Sequence, residues 1–430
     1  MRGLGAGLRL ALFCHLAVCG ETQAQKPIGR PAALSPSTPG LAAPPYRQEL
    51  ISFHKSLVEI ESVTGNEQTV GEFLTRQLGS WGYQTETQAI PMKPTDAGAR
   101  ESGTRFNVLA YPGSPSSRGW QGWKPKVLVT SHIDVVPPHI PYSIDLDPGA
   151  NVTSDTVIRG RGSVDAKASV AAQLIAVREL IASKAIDGSD VMFLFVVGEE
   201  ADGIGMRSFS RSLQDASPAH PGFDAVIFGE PTENKLACGH KGLITCTTMA
   251  KGRAGHSGYP WLGKSANEVL MRGLLAVLDA ELGSSDEFGN TTVNVGLMSG
   301  GVAANVIPES ARASIVVRVA IGPQSEGHSV VRQKIEDTLQ DVDPEALSLD
   351  CKDGNGYGVV ACNCEVEGFE PIVVNYGTDV PNLVGNHTRY LYGPGSILVA
   401  HSDHEELRVQ DLETAVEGYK KLVKHALTKR

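Results

Sequence analysis

Short apolar runs in this chain stop abruptly on charged side chains, and they do so at several separate places. KVLVTSHID ends on His132 and Asp134, VMFLFVVGEE on Glu199 and Glu200, DAVIFGEPT on Glu230, and SILVAHSDHEE on His401. A fifth segment, GRGSVDAK, sets Asp165 at the mouth of a helical pattern. Runs this brief and this apolar read as strands buried on both faces, as in a parallel sheet covered by helices. A core has no use for so many carboxylates beside its strands, because unpaired buried charges are too costly. They therefore belong at the strand ends of an open α/β sheet, where such folds place their active sites.

The pattern around these runs fills in the architecture. ELISFHKSLVEIESVTG puts Leu50, Phe53, Leu57 and Ile60 on one helical face, and Thr64-Gly65-Asn66 breaks the helix. RFNVLAY, KVLVTS, VMFLFVV and DAVIFG read as strands. Between them, AKASVAAQLIAVRELIASK aligns Val170, Leu174, Val177 and Ile181 as a helix. From about 240 the runs lengthen and alternate: LITCTTMAKG, TTVNVGLMSGG, ARASIVVRVAI and ALSLDCK, interrupted by the helical patterns SANEVLMRGLLAVLDAEL and GHSVVRQKIEDTLQDV. That order is the split β-α-β unit of a ferredoxin-like α+β domain. Buried-strand patterns return at PIVVNYG and SILVAH, before a last helix, VQDLETAVEGYKKLVKHAL. The expected fold is α/β: a mostly parallel-sheet catalytic domain at 46–237 and 356–430, with a smaller α+β domain inserted at 238–355.

Of 430 residues, 41% are hydrophobic and 20% charged, with a formal net charge of -10, and no basic run suits nucleic acid or an anionic membrane. Arg2 followed by LGAGLRLALFCHLAVCG, too short to span a bilayer, reads as a secretory signal over residues 1–20. Residues 21–45, with PSTPG and APPY, read as a disordered lead-in. Three sequons, at Asn151, Asn290 and Asn386, agree with secretion. Cys14 and Cys19 fall in the signal, leaving five cysteines, an odd number, so at least one is unpaired within the chain. Cys351 and Cys362, across a Gly-rich loop, are the expected disulfide.

His, Asp and Glu bind zinc, and catalytic sites keep a position open for water. His132, Asp165, Glu200, Glu230 and His401 supply enough ligands for two ions sharing a carboxylate. A lone His-x-Asp is more often a surface pair; here Asp134 is placed to accept the second ring proton of His132 and fix its tautomer. Asp165 alone reads best as an N-cap. Glu199 and Glu200, adjacent on a turning segment, diverge, so that one can ligate while the other faces water. His401 directly ends SILVA, whereas its rival His404 lies three residues on. GxSxG is absent from the sequence, which removes the serine-elbow reading.

Taken together, the motifs resemble the zinc amidohydrolase and exopeptidase family that includes acetylornithine deacetylase, succinyl-diaminopimelate desuccinylase, aminoacylase and carboxypeptidase G. SHIDVVPP is similar to its first metal motif. GRGSVDAKASVAA is similar to the second, with Ala168 where glycine is usual. VVGEEADGIGM and GEPT are similar to the third and fourth, and YGPGSILVAHSDHEEL to the C-terminal motif, with His404 where Asp is common. The resemblance implies one zinc held by His132, Asp165 and Glu230 and another by Asp165, Glu200 and His401, with cobalt as an alternative metal. It makes Asp134 the orienting carboxylate and Glu199 the general base. GRAGHSGYP resembles a segment whose histidine, here His256, reaches into a neighbouring subunit's site. Asn305 and Thr378 match substrate contacts, and Arg318 a carboxylate-binding arginine. The implied reaction is hydrolysis of an amide bond beside a free carboxylate, on peptides as a secreted carboxypeptidase or on N-acyl amino acids as a deacylase. A binding protein that had lost catalysis would lack a ligand or the base, and here all are filled. The family also offers a homodimer through the inserted domain, although some relatives are monomeric.

Overall fold

Four runs of β-branched and aromatic residues, buried on both faces, form the centre of the molecule. A computed structural model describes residues 43–91, 104–112, 120, 124–147, 149–216, 222–351 and 356–428. The expected signal and nearly all of the lead-in lie outside the described residues. In chain order the main sheet contains β1 (Tyr83–Ile90), β2 (Arg105–Pro112), β3 (Val127–His132), β4 (Val191–Val196), β5 (Ala225–Gly229) and β6 (Leu236–His240). A second sheet follows, with β7 (Gly242–Lys251), β8 (Thr292–Gly300), β9 (Ser310–Val319) and β10 (Leu347–Cys351). The chain then returns to the first sheet in β11 (Val360–Ala361), β12 (Pro371–Val374) and β13 (Thr388–Tyr392).

The main sheet runs β1-β2-β4-β3-β5-β13-β6-β11, with β12 beside β6. Its middle four strands, β4-β3-β5-β13, are parallel; beyond them the strands pair antiparallel, except that β12 runs parallel to β6. Helices α1 (Arg47–Glu59), α3 (Lys167–Ala182) and α7 (Val409–Thr428) cover one face, with Leu50, Leu57, Leu174, Val177 and Leu422 in one apolar core. α3 packs against α1 and α7 as well as the sheet, and its first eleven residues are all buried rather than a single stripe. On the other face, α4 (Ile204–Asp215) packs Met206, Phe209 and Leu213 against Leu194, Val196 and Phe228. The first helix ends earlier than expected, at Glu59 with Ile60 already extended, and α2 (Gln68–Ser80) follows after Thr64-Gly65.

β7 and β9 alternate buried and less buried residues, as a sheet with one covered face should. α5 (Ala266–Asp279) and α6 (Gly327–Val342) cover it, with Leu270, Leu274, Val331, Ile335 and Leu339 on Ile244, Ile315 and Val317. The strand order β8-β9-β7-β10 follows from the strand-helix-strand-strand-helix-strand sequence.

Two expectations are corrected. SILVAH is not a strand: Ser396–His401 forms turns, with Leu398 53% exposed. The buried strand is TRYLY, β13, whose Tyr390, Leu391 and Tyr392 are almost wholly covered. Tyr392 buries its ring and donates its hydroxyl to Asn234 Oδ1, 3.1 Å away, whereas the buried Tyr390 hydroxyl has no hydrogen-bond partner. The Cys351–Cys362 disulfide is also wrong. Cys351 faces Cys246 directly across β10 and β7 and bonds to it, Cys238 bonds to Cys364, and Cys362 is free. Strand register outweighed closeness in sequence.

Candidate active site

The parallel strands deliver their polar ends to one edge of the sheet. β3 finishes on His132, and β5 stops at Gly229, leaving Glu230 next. Beyond β4 the chain turns at Gly198, with φ at +76°, where an added Cβ would sit 2.8 Å from the Arg105 guanidinium. That turn sets up Glu199 and Glu200. Asp165 arrives from the loop before α3, and His401 from the turn after β13, itself at a φ of +63°.

Asp165 is the hub. Its Oδ1 lies 3.0 Å from His132 Nε2 and its Oδ2 lies 3.3 Å from His401 Nε2. His401 Nε2 is 3.0 Å from Glu200 Oε2, and His132 Nε2 is 3.9 Å from Glu230 Oε2. His132, Asp165 and Glu230 thus form one group, and Asp165, Glu200 and His401 a second, each with its ligand atoms within 4.8 Å of one another. Each oxygen of the shared carboxylate faces a different group. His404 is exposed and pairs with Asp403 instead.

Local geometry differs from the sequence reading at two ligands. Asp165 caps nothing: α3 is preceded by Ala166 and has no side-chain cap. His132 Nδ1 donates to the main-chain carbonyl of Asp134 at 2.9 Å, not to its carboxylate, which lies 3.7 Å away. The carboxylate is turned to the neighbouring strand end. It accepts the backbone N–H groups of Glu199 (3.1 Å) and Glu200 (3.2 Å) and the hydroxyl of Thr64 (2.8 Å). Asp134 therefore fixes the histidine through its backbone and both glutamates through its side chain.

The electrostatics fit a cation. Burial, with repulsion from neighbouring acids, holds Glu199 and Glu230 well above the ordinary carboxylate range and pushes Glu200 up to about 7. Burial would also raise Asp165, but hydrogen bonds from His132 and His401 hold it down. Hydrogen bonds to Asp165 and Glu200 raise His401 to about 10. Burial would lower His132, yet Asp165, Glu230 and Glu199 hold it well above its usual value. Glu200 Oε1 is buried and has no hydrogen-bond partner. Crowded acids, two histidines with Nε2 turned inward and an orphaned oxygen are a donor set suited to divalent zinc or cobalt.

The sequence reading missed the support beneath these ligands. Glu405, 1% exposed, accepts the N–H groups of Val164 (2.9 Å) and Asp165 (3.1 Å) on one oxygen and Arg161 Nη1 (2.8 Å) on the other. Arg161 also donates to the His401 carbonyl at 3.3 Å, so one buried pair ties the Asp165 loop to the His401 turn. Lys167 reaches the carbonyls of Leu57 and Ile60, both at 2.9 Å, joining the end of α1 to the same loop. Burial lowers its pKa to about 7. The signal for Glu405 lay in HSDHEEL, where a second carboxylate follows the histidine.

A cleft of about 650 Å³ opens from the ligands. Glu199 and Arg318 line it, as do Thr378, Tyr357 and Tyr376. Thr378 is buried, its Oγ1 3.1 Å from His240 Nε2 and accepting Val380 N–H. His256 and Asn305 are not among the lining residues. They sit together elsewhere on the chain, both exposed, where Ser257 N–H donates to the Asn305 carbonyl at 3.1 Å. His256 Nδ1 accepts Gly258 N–H at 3.0 Å.

Carboxylates and histidines at the ends of parallel strands, beside a base and a cleft, define a metal-dependent hydrolase. The family model of peptidase family M20/M25/M40 matches residues 128–425, and the chain belongs to that family, whose members are hydrolytic metallo-exopeptidases. It is 54% identical over 397 residues to a peptidase M20 domain-containing protein of Sordaria macrospora, covering 90% of this chain and 86% of that one. It is 44% identical over 428 residues to a probable carboxypeptidase of Aspergillus flavus, covering 94% and 95%. A tripeptidase of Staphylococcus aureus has a similar fold, with a TM-score of 0.68 at 20% identity over 89% of this chain and 99% of that one.

Proposed function

We propose that the protein is a secreted carboxypeptidase that uses two zinc ions to remove the C-terminal residue from peptides. The observation that carries this reading is the shared carboxylate: Asp165 joins two ligand groups in a cleft that also holds Glu199 and Arg318. Bound divalent metal would polarise the scissile carbonyl and make water acidic enough to lose a proton near neutral pH. Glu199, raised by burial and by its neighbours, is suited to take that proton on a carboxylate oxygen and deliver it to the leaving nitrogen. Arg318 can hold the terminal carboxylate in a two-pronged hydrogen bond. Thr378, already engaged with His240, keeps the loop 376–382 in place beside it.

His256 and Asn305, adjacent and outside the cleft of their own chain, would complete the cleft of a second copy. An apolar band supports this homodimer. Leu275 and Leu278 on α5, with Leu297 and Met298 on edge strand β8, are all about half exposed or more. Exposed Asn151, Asn290 and Asn386 suit glycosylation of a secreted protein.

The test is a substrate panel comparing peptides with free and amidated C-termini against N-acetyl amino acids, with chelator and with zinc or cobalt restored. Metal-dependent release of the last residue from free peptides is expected. Faster cleavage of N-acetyl amino acids would instead assign a deacylase, and turnover untouched by chelation would remove the metal from the reaction.

A further inference from the structure

The cleft has two walls of different origin. One is the four-stranded sheet, which contributes Arg318 from β9 and Leu243 and Thr245 from β7. The other is α4, the helix that follows the Glu199–Glu200 turn. Arg207, Ser210, Arg211 and Gln214 line the cleft from it. Their spacing puts them on one face of the helix, while Met206, Phe209 and Leu213 bury the adjoining face in the core, with Ser210 at the border. The helix thus turns a polar stripe with two guanidinium groups toward the substrate.

These arginines differ in what they already hold. Arg207 makes an ion pair with Asp202 at 3.8 Å. Arg211 donates to the Ser208 hydroxyl at 3.2 Å, within its own helix rather than to a carboxylate. Ser210 is occupied, accepting the Val384 N–H at 2.9 Å. Elsewhere the cleft is dominated by acids: Asp165, Glu199, Glu200 and Glu230 at the ligand end. The volume, about 650 Å³, accommodates more than one residue of substrate.

We propose that the α4 wall is a specificity subsite for a second substrate carboxylate, an Asp or Glu side chain on the acyl side of the scissile bond. This rests on the peptidase reading above. With the terminal carboxylate at Arg318 on the sheet wall and Glu199 between, the facing helix meets the other half of the substrate. Arg211 provides a planar fork for the acid, Arg207 adds positive potential, and Gln214 a neutral donor.

The test uses the zinc-loaded full chain and three matched substrates, N-acetyl-Glu-Ala, N-acetyl-Gln-Ala and N-acetyl-Lys-Ala. At low salt the expected order of kcat/KM is Glu above Gln above Lys, with a Glu-to-Lys ratio of about tenfold set mainly in KM, shrinking as salt is raised. R211E should invert the ratio and R211Q should flatten it; both lie on an exposed turn of α4. Equal rates for the three, a preference for Lys, or a Glu-to-Lys ratio unchanged in both variants would overturn the subsite while leaving the peptidase reading intact. No hydrolysis of any of them, alongside active cleavage of N-acetyl amino acids, would overturn the peptidase reading and the subsite with it.

Discussion

Replacing Glu405 separates scaffolding from chemistry, because this residue touches no candidate ligand side chain and yet holds two ligand-bearing segments. Glu405→Ala would strip two buried N–H groups of their acceptor, at about 1–3 kcal/mol each. It would also leave Arg161, 2% exposed, without its carboxylate, a loss of roughly 3–5 kcal/mol where a buried partner is removed. These terms overlap, but their sum approaches the whole stability of an ordinary domain, about 5–15 kcal/mol. Glu405→Ala should therefore accumulate poorly as folded protein. Glu405→Gln keeps the shape and one acceptor for Val164 and Asp165. Burial already raises the Glu405 pKa despite its partners, so the charge itself contributes less than the geometry suggests. The expected loss is about 1–2 kcal/mol, a fall of a few degrees in Tm. Loosening of the Asp165 loop should then weaken metal binding by roughly tenfold to a hundredfold, the usual effect of losing an outer hydrogen bond at a metal site. Thermal unfolding, followed by zinc titration against a chelating dye, reads both quantities. If Glu405→Gln bound zinc as tightly as the parent, the pair would not govern the ligands. If Glu405→Ala were as stable as the parent, the energetic argument would fail outright.

Other outcomes are expected. Glu199→Gln should retain its metal and lose about a hundredfold to ten-thousandfold in kcat, as removal of a general base does; single-turnover assays with metal analysis would expose an active variant. Arg318→Ala should lower kcat/KM for free peptides by roughly tenfold to a hundredfold and erase the preference over C-terminal amides, since hydrogen bonds to charged groups contribute about 1.5–3 kcal/mol. An unchanged preference would place the terminal carboxylate elsewhere. His54 and His240 should cost stability in acid: burial pushes both down to about 4, whereas unfolded they titrate near 6.5. Between those values the unfolded chain binds more protons, so each histidine costs up to about 3 kcal/mol as pH drops through the window. The raised Glu199, Glu200 and Glu230 oppose this slope, so urea unfolding from pH 7 to 4.5 is compared between the parent and His54→Gln, whose stability should fall less steeply; equal slopes would show that His54 is not buried neutral.

The chain announced its sheet through strands buried on both faces, because continuous apolar runs ending in charge have few other readings. The two helices and four strands of the second sheet were equally plain, since alternation survives wherever only one face is covered. β13 was harder. TRYLY mixes a guanidinium with two phenols, and only the fold reveals that the rings are inside. SILVAH looked more like a strand than the real one, yet turns can be apolar when they lie against a core. The candidate ligands were visible as side-chain types; Asp165 taken alone read as a helix cap, the resemblance made it the shared ligand, and the structure sets His132 and His401 on either side of it. Asp134 was recognised by spacing, while its grip on the Glu199 and Glu200 amides depends on β3 and β4 being neighbours, which no local pattern encodes. Glu405 and Arg161, 244 residues apart, met only through tertiary structure.

The two disulfides bear on how the chain would come apart. Cys238 and Cys364 lie on either side of the four-stranded sheet in sequence and are bonded to each other, while Cys246 and Cys351 join that sheet's own first and last strands. A protease that cut once between residues 246 and 351 would leave both fragments inside two nested covalent loops. The nicked protein should migrate as one species on a non-reducing gel and as two only after reduction. Outside the cell, where nicking is common and reductant scarce, such a molecule would keep Arg318 covalently tethered to the half that carries Glu199.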